Sequence, residues 1–155
     1  MRIAVFPGSF DPFTLAHKDL VDRSLSLFDK IYIAIGVNSS KKGLMAFEKR
    51  KSAIESVYVN SDQVIVGLFS GLTVDYCSSV GARFILRGLR NANDLIYEDA
   101  IAQNNLILAP HIETYFLLSR SGTAHISSTI VRDILANGGA IDRLVPQEVI
   151  DFIED

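Results

Sequence analysis

Five short runs of β-branched and aliphatic residues, separated by stretches with helical spacing, constrain this chain more than any other feature. The runs are Ile3-Ala4-Val5-Phe6, Ile31-Tyr32-Ile33-Ala34-Ile35, Val64-Ile65-Val66, Phe84-Ile85-Leu86 and Thr114-Tyr115-Phe116-Leu117-Leu118. They are continuously apolar, the pattern of strands buried on both faces. Between the first two, Leu20, Val21, Leu25 and Phe28 share one helical face while Lys18, Asp19, Asp22 and Arg23 share the other. Such alternation predicts a parallel sheet, because parallel neighbours need a crossover connection and crossovers are right-handed. The expected fold is therefore α/β, a doubly wound five-stranded parallel sheet. No repeat, low-complexity tract or linker divides the 155 residues, so one domain over 1–155 is expected, closed by a short helix that proline opens at Pro146.

Composition narrows the function. Hydrophobic residues make up 48% of the chain, enough for a core without disulfides or structural metal. The net charge of -3 provides no global field for a nucleic-acid backbone, so an anionic ligand must be met by a local cluster of cations and nucleic-acid binding is not expected. Cys77 is the only cysteine, which excludes an intramolecular disulfide and a cysteine-rich zinc site and fits a reducing, cytoplasmic setting. No apolar run is long enough to span a bilayer, and Met1 to Phe6 is too short for the core of a signal peptide. A soluble protein with no membrane partner is expected.

The unusual residues follow the carboxyl ends of the strand runs. After the first comes Pro7-Gly8-Ser9-Phe10-Asp11-Pro12-Phe13-Thr14-Leu15-Ala16-His17, and after the second Asn38-Ser39-Ser40-Lys41-Lys42-Gly43. Ser70-Gly71-Leu72-Thr73, Arg87-Gly88-Leu89-Arg90 and the stretch from Ser119 to Thr129 follow the other three. In open α/β sheets ligands bind in the crevice at that edge, where strand order reverses. Lys41, Lys42, Arg87 and Arg90 would then converge with two histidines on a protein of negative overall charge, a site suited to a polyanion. Ser127 or Ser128 is a natural N-cap before Ile130, Val131, Ile134 and Leu135, so the free N–H groups of that helix start offer a seat for phosphate. Thr14 caps the first long helix in the same way and puts His17 in its first turn.

Several chemistries drop out. There is no G-x-x-x-x-G-K-[ST] and no G-x-G-x-x-G after the first strand, which excludes a P-loop NTPase and disfavours hydride transfer. No G-x-S-x-G elbow is present, and no cluster has tetrahedral zinc spacing. Phosphate chemistry by positioning and charge neutralisation remains.

Gly8-Ser9-Phe10-Asp11-Pro12 with Thr14-Leu15-Ala16-His17 is similar to the G-[ST]-F-D-P and T-x-G-H signature of the nucleotidyltransferase superfamily, and Ile126-Ser127-Ser128-Thr129 to its I-S-S-[ST] motif. With Ser40-Lys41-Lys42 and Arg87-Gly88-Leu89-Arg90, in order across almost the whole chain, they resemble the bacterial phosphopantetheine adenylyltransferase family. Two positions depart from its pattern: Ala16 replaces the motif glycine, and Thr73 stands where a larger apolar residue is common.

The resemblance implies a Rossmann-like nucleotidyltransferase fold and adenylyl transfer from ATP to 4'-phosphopantetheine with Mg²⁺. It further implies a homohexamer, while the mean hydropathy of +0.25 by itself points only to some apolar helix surface being covered by partner subunits. It implies that His17 contacts the ATP phosphates and steadies the transition state, and that Lys41 bridges the reacting phosphates. Ser9, Thr73 and Arg87 would meet phosphopantetheine. Ser9, Phe10, Gly88, Leu89, Arg90, Glu98 and the run Thr123, Ala124, His125, Ile126, Ser127, Ser128, Thr129 would surround ATP, and no protein ligand to Mg²⁺ is assigned. Two roles have plainer readings: Glu98 as an exposed helix residue, and Arg90 paired with Asp94 one turn on. The competing functions are transfer to another small phosphorylated acceptor, and a non-catalytic ATP sensor.

Overall fold

In a computed structural model, residues 1–37 and 43–155 are described. The β-branched runs form β1 (Ile3–Gly8), β2 (Lys30–Gly36), β3 (Val64–Phe69), β4 (Phe84–Leu89) and β5 (Glu113–Leu118). Helices α1 (Leu15–Ser24), α2 (Phe47–Val57), α3 (Thr73–Ser79), α4 (Ala92–Leu108), α5 (Ser128–Ala136) and α6 (Gln147–Glu154) fall between and after them. All pairings are parallel, in the order β3-β2-β1-β4-β5. The order reverses between β1 and β4, and that is where a ligand crevice belongs.

Alternate residues of the central strands feed two cores. Ala4, Phe6, Ile31, Ile33, Ile35 and Leu86 join Leu20, Val21, Ile54, Val131 and Ile150 on one face, against α1, α2, α5 and α6. Val5, Ala34 and Ile85 join Val74, Cys77 and Ile112 on the other, beside α3 and the end of α4. The sheet is thus covered on both sides, as the runs predict.

Two expectations need correction. The edge strands are not buried on both faces: Tyr115 and Leu118 of β5 are exposed, and in β3 only Val66 is fully buried. An edge strand has a neighbour on one side only, and its apolar run does not reveal that. The strands also run further than their apolar cores, so Pro7, Gly8, Arg87, Gly88 and Leu89 belong to strands rather than to the loops after them. Parallel pairing to β2 carries β1 as far as Gly8 opposite Ile35, and pairing to β5 carries β4 as far as Leu89 opposite Leu118.

Between β1 and β4 the registered pairing stops at Val5 opposite Ile85. Pro7 has no N–H to continue a ladder, and its carbonyl accepts a hydrogen bond from Arg87 Nη1 at 2.7 Å instead. The two strands therefore part at their carboxyl ends with a guanidinium across the seam. That parting opens the site.

Candidate active site

The segment from Gly8 to His17 folds around a cluster of rings. Phe10 adopts φ 47°, a left-handed conformation costly for a bulky residue. Its ring is held 5.2 Å from Phe6, 5.7 Å from Phe13 and 5.0 Å from His17, which fixes the backbone against that cost. Gly8 lies directly beneath it: a Cβ there would come within 2.9 Å of Phe10 Cζ.

Thr14 caps α1 through a capping box. Its side chain accepts from the His17 N–H, and its own N–H donates to His17 Nδ1 at 2.9 Å. Because that donor is a backbone amide, Nδ1 must be an acceptor, which puts the proton of the neutral ring on Nε2. Burial among the phenylalanines, then the positive charges of Arg87 and Arg90, hold the His17 pKa down to about 3. His17 is a neutral hydrogen-bond donor whose ring lines the crevice.

The crevice has two lobes. The larger, about 590 Å³, opens on the α3 and α4 side and is lined by Val37, Phe69, Thr73, Ile101 and Asn105 among others. The smaller, about 310 Å³, lies on the α1 and α5 side, against Ala16, His17, Gly88, Arg90, Ser127 and Ser128 among others. Pro7, Gly8, Ser9, Arg87 and Glu98 line both. Arg87 donates from Nε and Nη2 to the two oxygens of Glu98, a fork-to-fork pair across the top of the sheet. Two ligands in these lobes would meet over Ser9 and Arg87.

At the α5 start, Ser127 Oγ accepts from Ile130 N–H at 3.2 Å, so Ser127 is the N-cap. The N–H groups of Ser128 and Thr129 have no protein acceptor among the described residues. They form a small anion-binding device at the mouth of the smaller lobe.

The cytidylyltransferase-like family model matches residues 5–134. A phosphopantetheine adenylyltransferase of Christiangramia forsetii is 52% identical over 149 residues, covering 96% of this chain and 98% of that protein. Those of Flavobacterium psychrophilum (52% over 149 residues; 96% and 98% covered) and Leptospira biflexa (46% over 147 residues; 95% and 92%) are similar over nearly their full lengths. The chain belongs to the phosphopantetheine adenylyltransferase family. Its fold is also that of a crystal structure described as a nicotinate-nucleotide adenylyltransferase from Vibrio parahaemolyticus, with a TM-score of 0.75 over 100% of both chains at 18% identity.

In this member of the phosphopantetheine adenylyltransferase family, the residues expected at the site fall in one lobe, in both, or in neither. Ser9, Phe10, His17, Arg87, Gly88, Arg90, Glu98, Ile126, Ser127 and Ser128 line the smaller lobe; Ser9, Thr73, Arg87 and Glu98 line the larger. Leu89 is buried, and neither it nor Thr123, Ala124, His125 or Thr129 lines a lobe. Lys41, with Ser40 and Lys42, lies outside the described residues. Glu98 is no exposed helix residue, being 7% exposed and engaged by Arg87. Arg90 does pair with Asp94, its N–H donating to Oδ2 at 2.8 Å, yet both line the smaller lobe. Each described arginine at the crevice thus carries a carboxylate partner, so the cleft is less cationic than a count of Arg and Lys suggests.

Sequence reasoning missed most of the larger lobe, notably Val37, Phe69, Ile101, Ala102, Asn105 and Thr114. These are ordinary strand-end and helix residues in no motif. Only the spacing of Glu98, Ile101, Ala102 and Asn105 along one face of α4 marks them.

Proposed function

We propose that the protein transfers the adenylyl group of ATP to 4'-phosphopantetheine, giving dephospho-coenzyme A and pyrophosphate in coenzyme A biosynthesis. The reading rests chiefly on the two lobes that share the Ser9, Arg87 and Glu98 wall, since joining two phosphorylated molecules needs two sites whose ends meet. ATP would occupy the smaller lobe, with its phosphates near His17 and the α5 start. Phosphopantetheine would occupy the larger, its arm along Thr73 and its phosphate against Ser9 and Arg87. An oxygen of that phosphate attacks the α-phosphorus, a new P–O bond forms, and the bond to the β-phosphate breaks as pyrophosphate leaves. A phosphate dianion is already a nucleophile, so orientation and charge stabilisation carry the reaction. His17 Nε2–H donates to phosphate oxygens without any proton transfer, and Lys41 would bridge the reacting groups.

Mg²⁺ would arrive with ATP and neutralise phosphate charge. The carboxylates on the cleft wall, Asp94 and Glu98, are engaged by arginines, so triphosphate oxygens and water are its natural ligands. No helix among the described residues is long and apolar enough to cross a membrane, which accords with work in the cytoplasm. Helix α4 is apolar around much of its circumference, with Ile96, Tyr97, Ile107 and Leu108 exposed, and Leu118 at the end of β5 is exposed as well. Such a helix is buried in an assembly, and a homohexamer is the proposed one.

The test is pyrophosphate release from Mg·ATP with 4'-phosphopantetheine, with nicotinate mononucleotide, and with no acceptor, in wild type and His17→Ala. Release only with phosphopantetheine, reduced about 10²- to 10³-fold in kcat by the substitution, is the expected result. Release with nicotinate mononucleotide alone would change the substrate, and ATP binding without any release would leave only a sensor.

A further inference from the structure

The turn that carries Ser9 is held from behind by a buried pair of charges that lines neither lobe. Arg50, in the first turn of α2, and Asp11 are each 4% exposed. Arg50 Nε lies 3.2 Å from Asp11 Oδ1 and donates to the Met45 carbonyl at 2.8 Å, while Nη1 donates to the Ser9 carbonyl at 3.1 Å. The Asp11 carboxylate accepts from the N–H groups of Leu44 at 2.7 Å and Met45 at 3.0 Å. The ring of contacts closes over Gly43, where a Cβ would collide with Arg50 Nη2 and Asp11 Oδ2. From the other side, Arg132 Nη1 donates to the Asp11 carbonyl at 2.8 Å and Ser128 Oγ to the Pro12 carbonyl at 2.8 Å.

We propose that the Asp11–Arg50 pair, seated on Gly43, is a positioning device that fixes the Ser9 backbone between the two lobes. The inference deepens the adenylyl-transfer reading and rests on it. A buried ion pair contributes little stability over an apolar replacement of the same volume, because desolvation offsets the attraction. What a guanidinium adds is direction, since its planar fork serves several acceptors at fixed angles. Here it serves Ser9, Met45 and Asp11 together. Bound to Arg50, the Ser9 carbonyl is held away from the phosphate oxygens that it would repel. Reacting groups misplaced by an ångström can lose about 10²-fold in rate, so a residue touching no substrate can still govern kcat.

The experiment measures kcat, KM and melting temperature for wild type, Arg50→Lys, Gly43→Ala and the double variant Asp11→Asn with Arg50→Lys. Ile112→Val, in the core on the other face of the sheet, serves as a stability control. A lysine keeps the charge but cannot hold three acceptors in one plane. The expected result is a kcat lower by about 10- to 100-fold in Arg50→Lys with KM changed less than about threefold, well below the melting temperature. Gly43→Ala, which alters no charge, should lower kcat in the same direction and decides the matter if Arg50→Lys does not fold. The double variant should be no slower than Arg50→Lys alone. Ile112→Val should melt earlier at wild-type kcat. An active wild type with Gly43→Ala and Arg50→Lys both at wild-type kcat overturns the inference alone, as do losses that merely follow melting temperature across all variants. A wild type that releases no pyrophosphate overturns the adenylyl-transfer reading and this inference with it.

Discussion

Acid should destabilise this protein through His17 in a way that a single substitution can isolate. In the folded chain the His17 pKa lies at about 3, whereas an unfolded histidine titrates near 6.5. Between those values the unfolded state binds the extra proton and the folded state does not, so stability rises with pH across the window and falls as pH drops below about 6.5. From pH 7 to pH 4.5 the loss due to this one ring is about 2.7 kcal/mol, an upper figure because part of the ring faces the solvent-filled lobe. His17→Gln removes the titration while its amide oxygen, at the third helical position, can still accept from the Thr14 N–H as in a Thr-x-x-Gln capping box. Urea denaturation of wild type and His17→Gln across this range gives the difference, in which His111 and His125 cancel. The stability of wild type relative to the variant should fall steadily on acidification through the window between the two pKa values. A difference independent of pH, or a His17 ring signal titrating near 6.5 by NMR, would refute the neutral, Nδ1-accepting ring.

Two further outcomes test the packing and the assembly. At Gly88 a Cβ would strike Leu20 Cδ1, so Gly88→Ala should cost about 1–3 kcal/mol by thermal melting and weaken ATP binding in the lobe it lines; combining it with Leu20→Ala should recover part of the clash, and strict additivity would argue against the contact. Replacing Ile96 and Ile107, 74% and 78% exposed, with aspartate should lower the solution mass measured by light scattering from that of a hexamer; a monomeric wild type at micromolar concentration would remove the argument from α4.

Apolar runs and their spacing were enough to read the sheet, its parallel sense and the helices between, because burial on both faces leaves a contiguous signature. They did not reveal that β3 and β5 are edges, since Tyr115 and Leu118 look like core in sequence and stay exposed in the chain. Thr14 and Ser127 were legible as caps because capping is local chemistry. Of the motif residues, Ser9, Phe10, His17, Gly88, Arg90, Ser127 and Ser128 meet at the smaller lobe because they follow strand ends and helix starts, whereas Leu89, Thr123, Ala124, His125 and Thr129 do not. The larger lobe was opaque: Phe69, Ile101 and Asn105 come together only once α3 and α4 are laid on one face of the sheet. Equally hidden was the pairing of Arg87 with Glu98, eleven residues apart, which turns two apparent ligand contacts into one wall. Asp11 and Arg50 sat in plain view, but nothing local joins residues 39 positions apart.

The wall shared by the two lobes also sets a rule for inhibitors. A compound with one arm in each lobe must thread its linker over Ser9 while leaving the Arg87–Glu98 fork intact, because breaking that fork strands a largely buried carboxylate. If the linker is short and follows that path, the second arm binds at high effective concentration, and the gain over either arm alone reaches roughly 10²- to 10⁴-fold. A compound that reaches across by displacing Arg87 forfeits much of that gain.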